Sequence, residues 1–326
     1  MLAVFRTRFG AVLAALAAFA AALGFVLSAG YSPPVVTAGQ RAEALGDTIN
    51  LPVDMRKAFS HPEDFEPVPQ PAPGDWLATH PEYGQTYSAF TRGWYHRPDQ
   101  VRRKLYFQPI DLAVADKQAY IVRLEKFARL YFGLETAVLP ELSLEDVRAG
   151  TRINAYTGKR QLRTGDILKA LKRNVPADAF CVLGITTEDL YPGASWNFVS
   201  GYASYRGRAG VYSFFRYTPE FLGEKYTPAS RQKFLLRSEK LLAHEISHMF
   251  GLRHCIYYRC IMNGFNHIAE MDTRPLVLCP ICLRKLQFAA GFGVEERYAA
   301  LAGFYREQGA GAEAAWLAAR LAKIRR

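Results

Sequence analysis

The sequence predicts an α/β fold: a compact domain in which a mixed sheet packs against one long helix, followed by a mostly helical C-terminal part. Three observations predict it. Strand-like and helix-like segments alternate from Lys104 to Tyr217. A segment with an apolar face then carries His244 and His248 at helical spacing. From Pro280 on, the pattern is mostly helical.

In chain order, the first expected element is an export signal or N-terminal membrane anchor over residues 1–30. Arg6 and Arg8 precede an apolar run from Phe9 to Leu27, then Ser28-Ala29-Gly30, and no charge follows until Arg41. The run, residues 9–27, is also long enough to associate with or span a membrane. The remainder is then either exported, to the periplasm or the cell exterior, or anchored with residues 31–326 outside the cytoplasm. Residues 31–100 are proline-rich, and proline fixes φ and removes a donor. Aromatics such as Trp76, Tyr87, Phe90 and Trp94 recur there, so this stretch is expected to be an irregular arm packed on the core. Its histidines, His61, His80 and His96, carry no ligand spacing.

The domain proper is expected over residues 101–326. Leu105–Phe107 reads as a strand. Asp116–Tyr131 reads as a helix with apolar residues at Tyr120, Leu124, Phe127, Ala128 and Tyr131, ended by Gly133. Thr136–Leu144 is strand-like, and Ile153–Tyr156 is short and extended. Thr164 is expected to cap a helix to Arg173. Phe180–Thr186 suits a buried strand, within which Cys181 packs as a small apolar residue. Gly210–Tyr217 alternates as a strand does. Thr227 and Pro228 form an N-cap and first-turn pair for the histidine-bearing helix, which stops at Gly251.

Composition bounds the function class. Of 326 residues, 50% are hydrophobic and 13% aromatic, so a sizeable core forms. The net charge of +11 comes from scattered residues without a basic stripe or nucleic-acid motif, so no nucleic-acid partner is expected.

The chemistry concentrates in His244-Glu245-x-x-His248-x-x-Gly251-x-x-His254. On a helix, His244 and His248 share one face and can hold one zinc ion. Gly251 lets the chain turn and bring His254 in as third ligand. Three protein ligands leave an open position for water, the mark of a catalytic zinc, and Glu245 sits beside the metal as general base. Next come Cys255, Cys260, Cys279 and Cys282. Their spacings suit a closed structural zinc site with four thiolate ligands, giving two zinc ions per chain; two disulfides are the alternative. His267, between Cys260 and Cys279, reads as an ordinary loop histidine.

The motif with Cys255, then Cys260-x-Met262, then Cys279-Pro280-Ile281-Cys282-Leu283-Arg284-Lys285-Leu286-Gln287, resembles the archaemetzincins (archaelysins). The resemblance covers about Thr151 to Tyr305 and includes Asp178–Gly184 and Asp189–Pro192. It implies a metzincin-like zinc metallopeptidase domain with a three-histidine catalytic zinc and a four-cysteine structural zinc. It also makes Met262 the Met-turn residue that packs under the zinc ligands. The expected function is hydrolysis of peptide bonds in a peptide or protein substrate. The rival readings are a catalytically silent zinc-binding scaffold of the same fold and hydrolysis of a non-peptide amide.

Overall fold

The computed structural model describes residues 35–326. The expected export signal or membrane anchor at residues 1–30 therefore lies outside the described residues. Among the described residues, no helix is long and apolar enough to cross a membrane.

The arm differs from the irregular segment expected of it. It forms short helices α1 (Ala38–Leu45), α2 (Val53–Phe59), α3 (Trp76–Thr79) and α4 (Tyr87–Arg92). Proline limits their length but not their existence, because polar caps start them. Thr37 and Gln40 form a capping box, and Thr86 accepts the Ala89 N–H at 3.0 Å. Ala58, Phe59, Phe65, Leu77 and Phe90 share one buried cluster with Leu241, Ile246 and Met249 of the histidine-bearing helix. Each buried phenylalanine contributes about 1.5–3 kcal/mol. The arm is thus part of the core.

From Lys104 the chain builds its sheets. Strand β1 (Lys104–Ile110) leads into α5 (Lys117–Phe132), and Gly133 ends that helix in the left-handed region. β2 (Glu135–Val138) stops well short of Leu144. Pro140 cannot donate to a ladder, and Ser143 caps the helical turn α6 (Leu144–Val147) instead. β3 (Thr151–Ile153) and β4 (Arg160–Arg163) precede α7 (Thr164–Arg173). Thr164 is the first helical residue and is buried; the cap position belongs to Arg163, still extended as the last residue of β4. Then follow β5 (Ala179–Thr186), β6 (Asp189–Tyr191), β7 (Gly201–Ser204) and β8 (Ala209–Ser213).

The main sheet has the order β2-β1-β5-β8-β7; β3, β4 and β6 form a smaller second sheet. β2, β1, β5 and β8 run parallel, and β7 is an antiparallel edge. The architecture is therefore α/β with a mixed sheet, as the alternation predicted. β8 is shorter than 210–217 and does not alternate: all five of its residues are buried. Val211 packs with the α7 residues and Tyr212 with the residues of the histidine-bearing helix, so neither face is left polar. Residues Phe215–Tyr217 instead turn as a 3-10 segment into α8 (Pro219–Leu222).

The helix that carries the motif, α9 (Pro228–Met249), begins at a capping box in which Thr227 accepts the Ser230 N–H, with Pro228 in the first turn. It lies against β7 and β8. The C-terminal part follows as α10 (Ile268–Asp272), α11 (Pro280–Ala290), α12 (Val294–Glu307) and α13 (Gly311–Arg325).

The arm presses on the loop after α9 at two points. Gly251 has φ +102°, and a Cβ there would lie 2.9 Å from the Trp94 carbonyl oxygen and the Tyr95 Cα. Gly84 has φ +71°, and a Cβ there would lie 2.8 Å from both Ile256 Cγ1 and Tyr257 Oη. Glycine is needed at both positions for conformation and for space. Gly84→Ala should therefore destabilise the fold by about 1–3 kcal/mol through strain and displacement of the 256–257 loop. Thermal unfolding checks this, and an unchanged midpoint would refute such close packing.

Candidate metal centres

At the C-terminal end of α9 the three motif histidines converge. One ring nitrogen from each of His244, His248 and His254 lies within 4.8 Å of the others. His244 Nδ1–H donates to the Ile261 carbonyl at 2.8 Å, and His248 Nδ1–H donates to the Leu252 carbonyl at 2.7 Å. A carbonyl can only accept, so both protons sit on Nδ1 and both Nε2 atoms carry lone pairs. These two nitrogens face each other at 2.9 Å. Two lone pairs that close repel unless an electrophile lies between them. Tetrahedral zinc with bonds of about 2.05 Å would set them roughly 3.3 Å apart. Burial, then the charge of His254, pushes His244 down to about 3 against the opposing Ile261 hydrogen bond. Burial and the two other histidines push His248 well below its ordinary value. Both rings are therefore neutral, as metal ligation requires. The donor set fits zinc.

Glu245, next on the helix, is 5% exposed, and burial pushes its carboxyl up to about 8. A divalent cation at the histidines would draw it back towards the carboxylate form. The edge strand β7 faces it closely: a Cβ at Gly201 would collide with the Glu245 carboxyl group. Glycine at 201 thus keeps the space that this side chain occupies.

The four cysteines form a second cluster, all buried and with sulfurs within 4.8 Å of one another. Cys255 and Cys260 come from the loop after α9; Cys279 caps α11 and Cys282 lies in it. Cys255 Sγ and Cys279 Sγ are 3.7 Å apart, and the Cys279 N–H donates to Cys260 Sγ at 3.3 Å. Zinc–sulfur bonds of about 2.3 Å in a tetrahedron put sulfurs roughly 3.8 Å apart, so the set fits zinc. None of the four is disulfide-bonded. Asn263 ties this loop together by donating to the Cys255 and Tyr258 carbonyls at 2.6 and 2.9 Å.

Met262 is fully buried, and its carbonyl accepts the Cys255 N–H at 2.8 Å. Its neighbour Ile261 supplies the carbonyl that holds His244, so this turn meets the histidines through its backbone. His267 does not join them. It caps α10 by accepting the Glu270 N–H, and its Nε2 pairs with Asp75 at 3.2 Å. Asp75, His267 and Glu270 also lie close together, but Glu270 is committed to Arg274 at 2.6 Å and to the Asn266 N–H at 2.8 Å. Cys181 is buried in β5, and burial raises its thiol well above the ordinary range. His61 pairs with Glu63 at the surface.

Several cleft residues escaped sequence reasoning. A cleft of about 710 Å³ opens over the histidines and Glu245, and Trp76 and His80 of the arm, Trp196, Gly201 and Tyr205 line it. The His80 and Trp76 rings stack at 3.8 Å, and the Tyr205 ring meets His248 edge-on at 5.1 Å. Glu82, also from the arm, accepts the His254 Nδ1–H at 2.6 Å. No spacing rule connects these residues to the motif, so nothing in the local sequence marks them.

The model of peptidase family M54 matches residues 111–288. The chain is 41% identical to Archaemetzincin-2 of Homo sapiens over 275 residues, covering 76% of each chain. It is 40% identical to Archaemetzincin-2 of Macaca fascicularis over 285 residues, covering 79% of each. That is a larger share than residues 101–326 make up, so the similarity runs into the arm, beyond the Thr151–Tyr305 span read from motifs. Among solved structures, an archaemetzincin from Methanopyrus kandleri is 27% identical, with 60% of this chain and 99% of that one covered and a TM-score of 0.46. With its family model matched over more than half its length and these relatives covering most of it, the chain belongs to peptidase family M54, the archaemetzincins, and is a zinc metallopeptidase.

Proposed function

We propose that the chain hydrolyses peptide bonds at a zinc ion held by His244, His248 and His254, with Glu245 as general base. A second zinc, held by Cys255, Cys260, Cys279 and Cys282, serves structure. The observation that carries the catalytic reading is the pair of Nε2 lone pairs converging beside a buried carboxyl group. When bound there, zinc supplies Lewis acidity, which acidifies water and polarises the scissile carbonyl.

The chain's own residues do the rest. His244 and His248 are locked by the Ile261 and Leu252 carbonyls, so little reorganisation is needed on metal binding. Glu245 takes the proton of the attacking water and delivers it to the leaving nitrogen. Its burial keeps bulk water from competing for that proton. The substrate is a peptide or protein segment. β7 is the edge of the main sheet and borders the cleft, so its free side supports pairing with an extended peptide by strand addition. Trp76, His80, Trp196 and Tyr205 give the cleft aromatic walls that suit side-chain contacts.

Glu245→Gln should leave zinc bound while cleavage in a peptide-library digest falls by about 100-fold or more. Unchanged cleavage removes Glu245 from its role, and zinc binding without any cleavage by the unmodified protein supports the scaffold reading. Gly201→Ala should lower cleavage at least about 10-fold by displacing Glu245, with metal content unchanged; equal rates would show that the carboxyl group relocates at no cost. Cys279→Ser should remove one zinc and depress catalysis too, because Cys255 adjoins His254. Metal analysis and rate are measured together, and full activity with an emptied cysteine site breaks that link.

A further inference from the structure

The three histidines are not held alike. His244 and His248 each give the Nδ1 proton to a backbone carbonyl, both within the span of the family model. His254 gives its Nδ1 proton to a side chain, Glu82, at 2.6 Å, and Glu82 lies outside that span. The two groups are only 18% and 20% exposed. Glu82 is itself aimed: its Oε1 also accepts the Trp76 indole N–H at 2.9 Å. Trp76 packs edge-on against His254 at 5.1 Å.

The backbone around Glu82 is fixed just as closely. Three residues on, Gln85 Oε1 accepts the Arg253 N–H at 3.0 Å, and Gln85 Nε2 donates to the Gly251 carbonyl at 3.2 Å. Lys285, buried in α11, donates to the Gln85 carbonyl at 3.0 Å. Gly84, between them, lies against Ile256 and Tyr257. The segment from Glu82 to Gln85 therefore follows the loop from Gly251 to Tyr257 and places one carboxylate on one ring.

We infer that Glu82 is a positioning residue for His254: the arm supplies an anionic acceptor that fixes this ring's tautomer and turns its Nε2 to the centre shared with His244 and His248. This rests on the zinc reading of the histidine centre. A carboxylate does here what a carbonyl does for the other two rings, and something more. His254 sits on a loop rather than on α9, so no helix holds its ring. An anion behind the ring also strengthens the nitrogen donor in front of it and offsets charge brought by a cation. The arm is accordingly part of the metal centre and not a cover over it.

The test uses the full chain, unmodified and as Glu82→Gln, Glu82→Ala and Trp76→Phe. Zinc affinity is measured by competition with a chromophoric chelator. The visible spectrum is recorded after cobalt(II) replaces zinc at the histidine centre, with His244→Ala marking which bands belong to it. We expect Glu82→Ala to weaken one zinc site roughly 10–100-fold and leave the cysteine site unchanged, which also reports that the fold is intact. Glu82→Gln keeps the shape but not the charge and should weaken binding less, with a shifted cobalt spectrum. Trp76→Phe removes the indole N–H that aims the carboxylate but leaves the carboxylate on His254, and should weaken zinc binding less than Glu82→Ala does. A packing role alone would leave the Glu82→Gln spectrum unmoved. Unmodified affinity and spectrum in both Glu82 variants overturn the inference while the zinc reading stands. Absence of any histidine-dependent metal in the unmodified protein overturns both.

Discussion

The loop from Gly251 to Cys255 must satisfy two sites with adjacent residues. His254 turns towards the histidines of α9, and Cys255 turns towards the cysteines of α11. A loop has no internal ladder to hold such an arrangement, so its hydrogen bonds go elsewhere. The Gly251 carbonyl and Arg253 N–H go to Gln85, the Leu252 carbonyl to His248, and the Cys255 N–H to Met262. Each bond is modest alone, about 0.5–1.5 kcal/mol. Together they leave the loop one conformation, and both clusters depend on it.

The sheet and the long helix serve this loop from the other side. β8 is buried against both α7 and α9, which sets the height of α9 over the sheet. β7, antiparallel at the edge, then passes beside Glu245, and a residue without a side chain at 201 makes that approach possible. Two buried charged residues of α9 are paired: Glu239 with Arg123 at 2.7 Å, and Arg237 with Asp272 at 2.8 and 2.7 Å. Such pairs add little net stability, but breaking one leaves an uncompensated buried charge, so they hold the helix to one register.

The arm changes how the domain is understood. Its phenylalanines lie in the same core as the motif helix, and its polar residues contact the loop between the two clusters. Proline-rich composition read as irregularity, because proline excludes long helices and inner strands. It does not exclude short capped helices, and those bring Trp76 to the cleft and hold Glu82 and Gln85, between them, against the loop after the motif helix.

By itself, the sequence determined the features that depend on local spacing. Two histidines four apart on a capped helix, a glutamate beside the first, a glycine that turns the chain and paired cysteines are all written in short-range order. So were the main strands β1 and β5 and the helices α5 and α9, whose periodicity is strong. Strand ends and caps were less legible: Pro140 cut β2 short, and Arg163, not Thr164, took the cap. Only the tertiary structure decided which residues meet the motif from far away. Glu82 reaches His254 across 172 residues of chain, and Gly201 reaches Glu245 from an edge strand. Neither carries a spacing signature, because such contacts are set by how the arm and sheet pack, and packing is a property of the whole core rather than of any segment.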